Sequence, residues 1–288
     1  MLSDDIATGA APANSIRSAS QKVAIIGAGN MGQALLAGAL RAEFSPADIA
    51  VTTVDDNARE MLSDNYGVQI AASNQIAVQS AKLVLLCVKP KDLPAVCAEI
   101  SAQLPADAVV VSVAVGVSLA ALASYLPAGQ PIIRAMPNTP AGIGAGITAI
   151  SSGPSVSAAA LDLAVRVLAG SGRVVIVPEA DQPAVGAISG SGPAYVAYFI
   201  DALIEAGVQQ GLPRLVATEL AVTTFQGTAQ MLAETGEHPA LARERVTSPG
   251  GTTAAALAAL DQAAVRAAIS QAVQAAIART NAISQQAQ

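Results

Sequence analysis

A glycine-rich turn near the start of the chain constrains the fold more than any other segment. Residues 27–32 read Gly-Ala-Gly-Asn-Met-Gly, directly after the apolar run Val23–Ile26 and before a helical pattern that ends at Arg41. In such a turn the first glycine permits the bend, the second lets a pyrophosphate approach the backbone, and the third lets the helix pack on the strand. The helix start adds unpaired N–H groups and a positive dipole end. We therefore expect dinucleotide binding here, with a purely structural turn as the alternative.

Short apolar runs recur along the first part of the chain, and helical patterns such as 32–41 and 155–168 lie between them. Near-continuous apolar runs are typical of strands that are covered on both faces, as in a parallel sheet. The alternation predicts an α/β fold whose N-terminal domain is a Rossmann-like, doubly wound parallel sheet. The predicted strands are Val23–Ile26, Ile49–Val51, Leu83–Val88, Val109–Val113 and Val174–Val177.

After Asp181 the pattern becomes entirely helical. The alanine-rich helices are apolar on too many faces to stand alone in water, so we expect a C-terminal all-α dimerisation domain, with a self-contained bundle as the alternative. The expected division is a disordered tail at 1–20, a dinucleotide-binding domain at 21–180 and a helical dimerisation and substrate domain at 181–288. The predicted helices are Pro193–Gln210, Pro213–Ala233, Thr253–Leu260 and Ala264–Ala282.

Composition excludes several classes of protein. The net charge of −6 disfavours nucleic-acid binding, which needs a basic surface. The most apolar short run, 83–88, is far below the roughly 20 residues that cross a bilayer, so no membrane association is expected. Cys87 and Cys97 show no metal-ligand spacing and His238 is the single histidine, so no metal site is expected. A reduced, cytoplasmic setting fits this cysteine usage.

The tip of the second predicted strand bears on the choice of cofactor. An acidic residue at this tip usually accepts the adenosine ribose hydroxyls and favours NAD. Here Thr52 and Thr53 form the tip, Asp55 and Asp56 follow, and Arg59 lies close enough in sequence to help bind a 2′-phosphate. The pattern favours NADPH, with NADH possible. Asp55 and Asp56 have an equally good interpretation as the N-cap of the next helix.

A second unusual turn reads Ser-Pro-Gly-Gly-Thr-Thr at 248–253 and is followed at once by a helical run. Free backbone and a helix start together suit a small carboxylate, and Thr252 or Thr253 could direct a hydroxyl at it. An ordinary N-cap threonine after a flexible turn is the alternative. The Gly/Ser turn at 189–195 has similar composition, but a hinge and helix cap explain it better.

Together these motifs resemble the pyrroline-5-carboxylate reductase family over nearly the whole chain after the tail. The resemblance rests on the sequences Ile-Gly-Ala-Gly-Asn-Met at 26–31, Val-Lys-Pro at 88–90, Ala-Met-Pro-Asn-Thr-Pro at 135–140, Ile-Ser-Gly-Ser-Gly-Pro-Ala-Tyr at 188–195 and Val-Thr-Ser-Pro-Gly-Gly-Thr-Thr at 246–253. It implies reduction of the cyclic imine L-1-pyrroline-5-carboxylate to L-proline, the last step of proline biosynthesis, by hydride transfer from NADPH or NADH. It also implies interleaved homodimers, sometimes assembled into decamers, with each active site shared between subunits.

The resemblance carries over the family's functional positions residue by residue. Thr253 and Ser248 are expected to be catalytic, with Thr253 bonded to the pyrroline nitrogen. The expected substrate-binding residues are Glu179, Gly251, Thr252 and Thr253. The expected cofactor-binding residues are Ile26, Gly27, Ala28, Gly29, Asn30, Met31, Thr53, Asn74, Cys87, Val88, Lys89, Pro90, Val113, Ala114 and Val115.

Three other functions share parts of this pattern. A two-domain reductase of the β-hydroxyacid dehydrogenase type needs a proton acceptor, commonly a lysine on the first long helix of the second domain, and residues 193–210 contain neither lysine nor histidine. A prephenate-type dehydrogenase would need an active-site histidine, and His238 lies in a polar loop. A nonenzymatic dinucleotide sensor would not need the turn at 248–253.

Overall fold

The computed structural model describes residues 21–286, with side chains described through residue 284. The expected tail at 1–20 lies outside the described residues. One eight-stranded sheet has the order β3-β2-β1-β4-β5-β6-β7-β8. Every neighbouring pair is parallel except β6 and β7. The strands are β1 (Val23–Ile26), β2 (Ile49–Thr52), β3 (Gln69–Ile70), β4 (Leu83–Leu86), β5 (Val109–Ser112), β6 (Ile132–Met136), β7 (Gly146–Ser152) and β8 (Gly172–Ile176).

Helices cover both faces of the sheet, and the described residues after β8 form helices without further strands. The helices are α1 (Asn30–Arg41), α2 (Asp56–Tyr66), α3 (Asn74–Val78), α4 (Leu93–Ile100), α5 (Leu119–Tyr125), α6 (Ala158–Ala169), α7 (Gln182–Val185), α8 (Gly192–Gln209), α9 (Arg214–Thr235), α10 (Pro239–Arg245), α11 (Thr252–Gln262) and α12 (Val265–Gln286). Short 3₁₀ turns fall between several of these elements, and a π-helical turn, Gly186–Gly190, joins α7 to α8.

The two faces of the sheet carry separate apolar cores. On one face α1, α2 and α6 pack through Leu35, Leu62 and Leu168, all fully buried. On the other, α3, α4 and α5 pack through residues such as Ile100 and Leu122. The strands β1, β4 and β5 are buried at every residue, which is why their sequences are apolar at every position except Ser112 rather than alternating.

The region after β8 is helical and poorly buried in the single chain. A small cluster of Ile204, Ala217 and Ala221 forms a core between α8 and α9. Large apolar side chains there stay exposed, including Tyr198 at 73% and Leu215 at 85%. Apolar surface of this extent marks an interaction face. Across the described residues, no helix is both long and apolar enough to cross a bilayer.

The predicted fold class is confirmed, with one local difference. The sheet is mainly parallel and doubly wound, but β6 and β7 pair antiparallel through the short 3₁₀ turn Thr139–Ile143. This connection is too short for a helical crossover, so the chain reverses as a hairpin. Neither strand was predicted, because the motif at 135–140, at the end of β6, contains two prolines and is not typical of a strand end.

Candidate active site

The strand order reverses between β1 and β4, and a cavity lies outside the carboxyl ends of these strands. The chain runs outward from β1 through β2 to β3, then returns to β4 on the other side of β1. In open α/β sheets the crevice at such a switch point is the usual ligand site. The cavity here has a volume of about 730 Å³.

The glycine-rich turn lines this cavity, and its geometry explains each glycine. Gly27 has φ +94°, and the N–H groups of Gly27 and Ala28 both donate to the Thr52 carbonyl at 3.1 Å. A Cβ at Gly32 would collide with the Gly27 carbonyl oxygen. A Cβ at Gly29 would meet no heavy atom within 4 Å, so this position is held open toward the cavity. An open backbone cradle of this kind fits a pyrophosphate.

The start of α1 is built to present backbone N–H groups. Gly29 is the N-cap and offers no side-chain cap to the first turn. Gln33, one turn later, donates from Nε2 to the Ala28 carbonyl at 2.9 Å and so holds the loop against the helix. The helix N-terminus therefore faces the cavity with unpaired donors and the positive end of its dipole.

A chain of hydrogen bonds supports the opposite wall. Thr52 is buried and donates from Oγ1 to Asn74 Oδ1 at 2.7 Å. Asn74 in turn donates from Nδ2 to Glu99 Oε2 at 2.8 Å. This chain links the tip of β2 to α3 and α4, and it fixes the side chain of Asn74 at the cavity wall.

The segment after β4, Cys87 to Lys89, forms the third wall of the cavity, and the segment after β5 follows the neighbouring strand at the same edge of the sheet. Cys87 N–H donates to the Ile26 carbonyl at 2.8 Å, and Val113 N–H donates to the Leu86 carbonyl at 3.2 Å. Burial raises the pKa of the Cys87 thiol to about 12 from an ordinary 9.0, so Cys87 is a neutral wall residue. Nearby, Gly116 has φ +81° and packs against Ile283 on α12.

Ten of the fifteen expected cofactor residues line this cavity: Ile26, Gly27, Ala28, Gly29, Asn30, Thr53, Asn74, Cys87, Val88 and Lys89. Met31 instead packs against the apolar core, and Pro90 begins a 3₁₀ turn beside the cavity. Val113, Ala114 and Val115 follow β5 at the same edge of the sheet. The lining residues Gln33, Lys91 and Glu99 belong to none of the predicted motifs, and they reach the wall only because of where α1, α4 and the 3₁₀ turn before α4 pack.

The turn at 248–253 forms a compact helix start. Gly251 N–H donates to the Ser248 carbonyl at 3.0 Å, Gly250 has φ +66°, and Gly251 is the N-cap of α11. The N-cap threonine that was the alternative interpretation is wrong, because Thr252 and Thr253 are the first helical residues. The early N–H groups of α11 have no side-chain cap. Ser248 and Thr252 are exposed and Thr253 is half-buried.

Glu179 lies at the start of the connection from β8 to the helical region. Its Oε1 accepts from the Leu119 N–H at 2.7 Å and lies 3.3 Å from Arg134 Nη1. Leu119 is the first residue of α5, which follows the segment at 113–118, so the carboxylate sits at a helix start. Among the described residues, both of these contacts are made by Oε1 and none by the second oxygen, Oε2.

The chain is similar to known proteins over most of its length. The profile described as pyrroline-5-carboxylate reductase dimerisation matches residues 179–283, and the profile described as NADP oxidoreductase, coenzyme F420-dependent, matches residues 22–116. The pyrroline-5-carboxylate reductase of Corynebacterium melassecola is 43% identical over 88% of this chain and 95% of its own. The chain belongs to the pyrroline-5-carboxylate reductase family.

Solved structures agree with this membership. A pyrroline-5-carboxylate reductase from Coxiella burnetii has a TM-score of 0.88 and 33% identity, covering 92% of this chain and 99% of that one. The Plasmodium falciparum pyrroline carboxylate reductase, solved with NADP bound, has a TM-score of 0.82 and 26% identity, covering 92% and 98%. A prephenate dehydrogenase from Aquifex aeolicus, at a TM-score of 0.52 and 15% identity, shows only a shared fold.

Membership of the pyrroline-5-carboxylate reductase family accounts for the exposed apolar face. The matched dimerisation region, 179–283, contains α8 and α9, whose large apolar side chains are uncovered in the single chain. The protein is a homodimer, and the predicted C-terminal dimerisation domain is confirmed. The Gly/Ser turn at 189–195 contains the end of the π-helical turn and the start of α8, with Pro193 in the first turn of that helix. Ser191 is the N-cap residue of that helix but makes no side-chain cap hydrogen bond, so the structure shows a helix start at this turn without the expected side-chain cap.

Proposed function

We propose that this protein reduces L-1-pyrroline-5-carboxylate to L-proline, the last step of proline biosynthesis, using NADPH, with NADH able to replace it. The observation that carries the proposal is the presence, in one chain of this family, of two complementary features. One is the dinucleotide cavity at the sheet switch point, and the other is the uncapped helix start of α11 with its Ser-Pro-Gly-Gly-Thr-Thr turn.

The turn at 248–253 binds the substrate carboxylate. The N–H groups at the start of α11, on Thr252 and Thr253, point out of the helix, and its dipole favours an anion there. The Ser248 hydroxyl lies against Gly251 and adds a donor beside them. This arrangement fixes which face of the pyrroline ring is presented to the cofactor.

Thr253 orients the ring nitrogen. Its side chain lies in the first turn of α11 and is half-buried, so its hydroxyl is held near the carboxylate site. Glu179 Oε2 completes the substrate set as an acceptor near the cationic nitrogen. An imine is basic enough to arrive protonated, so the residues need only to place it and need not supply a strong acid.

Bound NADPH supplies the hydride, and the chain supplies placement. The glycine-rich turn and α1 hold the pyrophosphate, while Cys87, Val88 and the segment 113–115 present backbone along the nicotinamide side. Most of the rate acceleration comes from holding the two reactants in contact with the correct orientation.

Each active site combines the dinucleotide cavity of one subunit with the 248–253 turn of its partner. The support is that α11 follows the dimerisation helices and lies in the region that the family profile describes as dimerising. We extend this to a decamer of such dimers and to a cytoplasmic location. We also propose the domain division at 180/181, supported by the change from strands to helices after β8.

The test is a spectrophotometric assay of NADPH oxidation by the purified full chain with pyrroline-5-carboxylate, and identification of proline as the product. Turnover that depends on the substrate is expected. Tight NADPH binding without turnover would instead identify a dinucleotide sensor. Oxidation of a β-hydroxyacid with no imine reduction would identify the other dehydrogenase type.

A further inference from the structure

The carboxylate of Asp55, the first acidic residue after β2, already accepts hydrogen bonds from the backbone of α2. Asp55 is the N-cap of α2, and its Oδ1 accepts from the Asn57 N–H at 3.0 Å and the Ala58 N–H at 3.4 Å. A ribose-binding carboxylate needs its oxygens directed at the 2′- and 3′-hydroxyls. The capping role therefore weakens Asp55 as a reader of an unphosphorylated ribose. Val54, the residue before it, is fully exposed and has no polar group to offer.

Arg59 is held at the same wall by the backbone. Its Nε and Nη2 both donate to the Thr53 carbonyl, at 3.2 Å and 3.1 Å, which fixes the plane of the guanidinium. Both Thr53 and Arg59 line the dinucleotide cavity. A guanidinium carries five N–H donors. Two are used on Thr53, so most of the terminal donors are left for a ligand.

The ion pair that Arg59 makes is weak enough to yield to a ligand. Nη1 lies 3.5 Å from Asp56 Oδ1, and the two side chains are 45% and 91% exposed. Exposed pairs of this kind contribute little. A phosphate held by a planar guanidinium gains two parallel charge-assisted hydrogen bonds. Arg59 is thus a pre-oriented phosphate donor at the end of the cavity where the adenosine ribose binds in this fold.

We propose that Arg59 is the specificity-determining residue for the cofactor: it binds the adenosine 2′-phosphate, and the enzyme therefore prefers NADPH to NADH. The inference rests on the proposed dinucleotide use and goes beyond it by naming the group that discriminates. Lys89 and Lys91 also line the cavity and are the competing cations. Within the described residues, neither lysine side chain is held by a backbone carbonyl as that of Arg59 is, so we assign them general attraction to phosphates rather than discrimination.

The test measures binding without nicotinamide or pyrroline. Calorimetry on the full chain compares adenosine 2′,5′-bisphosphate with AMP, which lacks the 2′-phosphate. Wild type is expected to bind the bisphosphate roughly tenfold more tightly or better, as for a hydrogen bond to a charged group. Arg59→Gln is expected to remove most of this ratio. Because no substrate is reduced, failure here is distinguishable from failure of the proposed reaction.

Two matched variants sharpen the result. Arg166→Gln removes an arginine that is equally exposed, at 44%, and equally paired with an aspartate of its own helix, but that lies on α6 away from the cavity. It is expected to keep the wild-type ratio. Lys91→Gln is expected to weaken both ligands alike. A ratio that survives in Arg59→Gln, or that is lost in Lys91→Gln, overturns the proposal.

Asp56→Asn gives a prediction of opposite sign. It removes the competing carboxylate from Arg59, so the preference for the bisphosphate is expected to rise by roughly 1.5- to 5-fold, the range for an exposed pair. An unchanged or reduced preference would contradict a role for the Arg59 guanidinium in binding this phosphate.

Discussion

At the scale of single residues, the two proposed ligand sites depend on backbone that is left open. Gly29 faces the dinucleotide cavity with free space around it, and Gly251 caps α11 without a side-chain acceptor. The N–H groups that result have fixed directions and need no ionisation. In the proposed sites, a chain with one histidine binds two anionic ligands through its helix starts.

Thr253 carries the residue-scale prediction about catalysis. Thr253→Ala is expected to lower kcat/KM by roughly 10- to 100-fold, because a hydrogen bond to a charged nitrogen is lost, yet turnover should persist. Thr253→Ser keeps the hydroxyl and should stay close to wild type. Steady-state kinetics with pyrroline-5-carboxylate measure both variants. An alanine variant as active as the parent would show that Thr253 does not stabilise the transition state.

Substitutions at Gly29 and Gly32 are expected to change cofactor affinity and folding stability separately. Gly29→Ala introduces a methyl group into open space at an ordinary backbone angle, φ −72°, so the melting temperature should hold while cofactor affinity falls. Gly32→Ala would place its Cβ against the Gly27 carbonyl and should lower the melting temperature. Thermal melts and NADPH titration distinguish the two effects. Equal loss of stability in both variants would contradict this division.

At the scale of elements, the sequence predicted the strands and helices that have a clear hydrophobic pattern or a glycine or proline at their ends. The predicted β1 matches the structure residue for residue, and α8 and α11 begin within one residue of their predicted starts. Buried strands have nearly continuous apolar sequences, which allowed their prediction. Pro193 and Gly251 indicated where two of the helices begin. The antiparallel β6 and β7 were missed, since nothing local in Pro137 or Pro140 reveals which strand the chain pairs with next.

The same limit applied to the site. The motifs predicted residues that make contact through backbone, but Gln33 and Glu99 reach the cavity through side chains whose positions depend on tertiary packing. The partners of Glu179 were equally hidden, because Arg134 and Leu119 are 45 and 60 residues away in the chain. Long-range pairing of this kind has no signature in one sequence.

Glu179 gives the prediction at this scale, because it ties the helical region to β6 and α5. Glu179→Gln is expected to lower the melting temperature by roughly 2–4 °C, since Arg134, whose side chain is 12% exposed, loses its charged partner. The matched control is Asp162→Asn, which breaks an exposed pair with Arg166 on α6 and should leave the melting temperature unchanged. A raised KM without any change in melting would instead assign Glu179 to substrate binding alone.

At the scale of the whole molecule, the helical region exposes a large apolar face that a second subunit covers. The sheet domain has two full cores, whereas the helices after it bury few large side chains and expose residues such as Phe199 and Leu220. Dimerisation covers this face and, in the proposed arrangement, brings the 248–253 turn to the partner's cavity. A monomer would then lack both stability in the helical region and a complete site.

Mixed dimers test the sharing of sites. Gly29→Asp disables the dinucleotide cavity, and Gly251→Asp disables the turn. If sites are shared, a mixed dimer has one intact site and one doubly damaged site, so random mixing of the two inactive proteins should restore about a quarter of wild-type activity. Differently tagged chains verify that mixed dimers form. Verified mixed dimers without activity would place each site within a single chain.

The most direct measurement is a crystal structure of the dimer with the oxidised cofactor and proline bound together. We expect a carboxylate on the first N–H groups of α11, and a ring carbon within roughly 3–3.5 Å of nicotinamide C4. This expectation would be contradicted by a structure in which the start of α11 points away from every nicotinamide ring, in its own subunit and in the partner subunit.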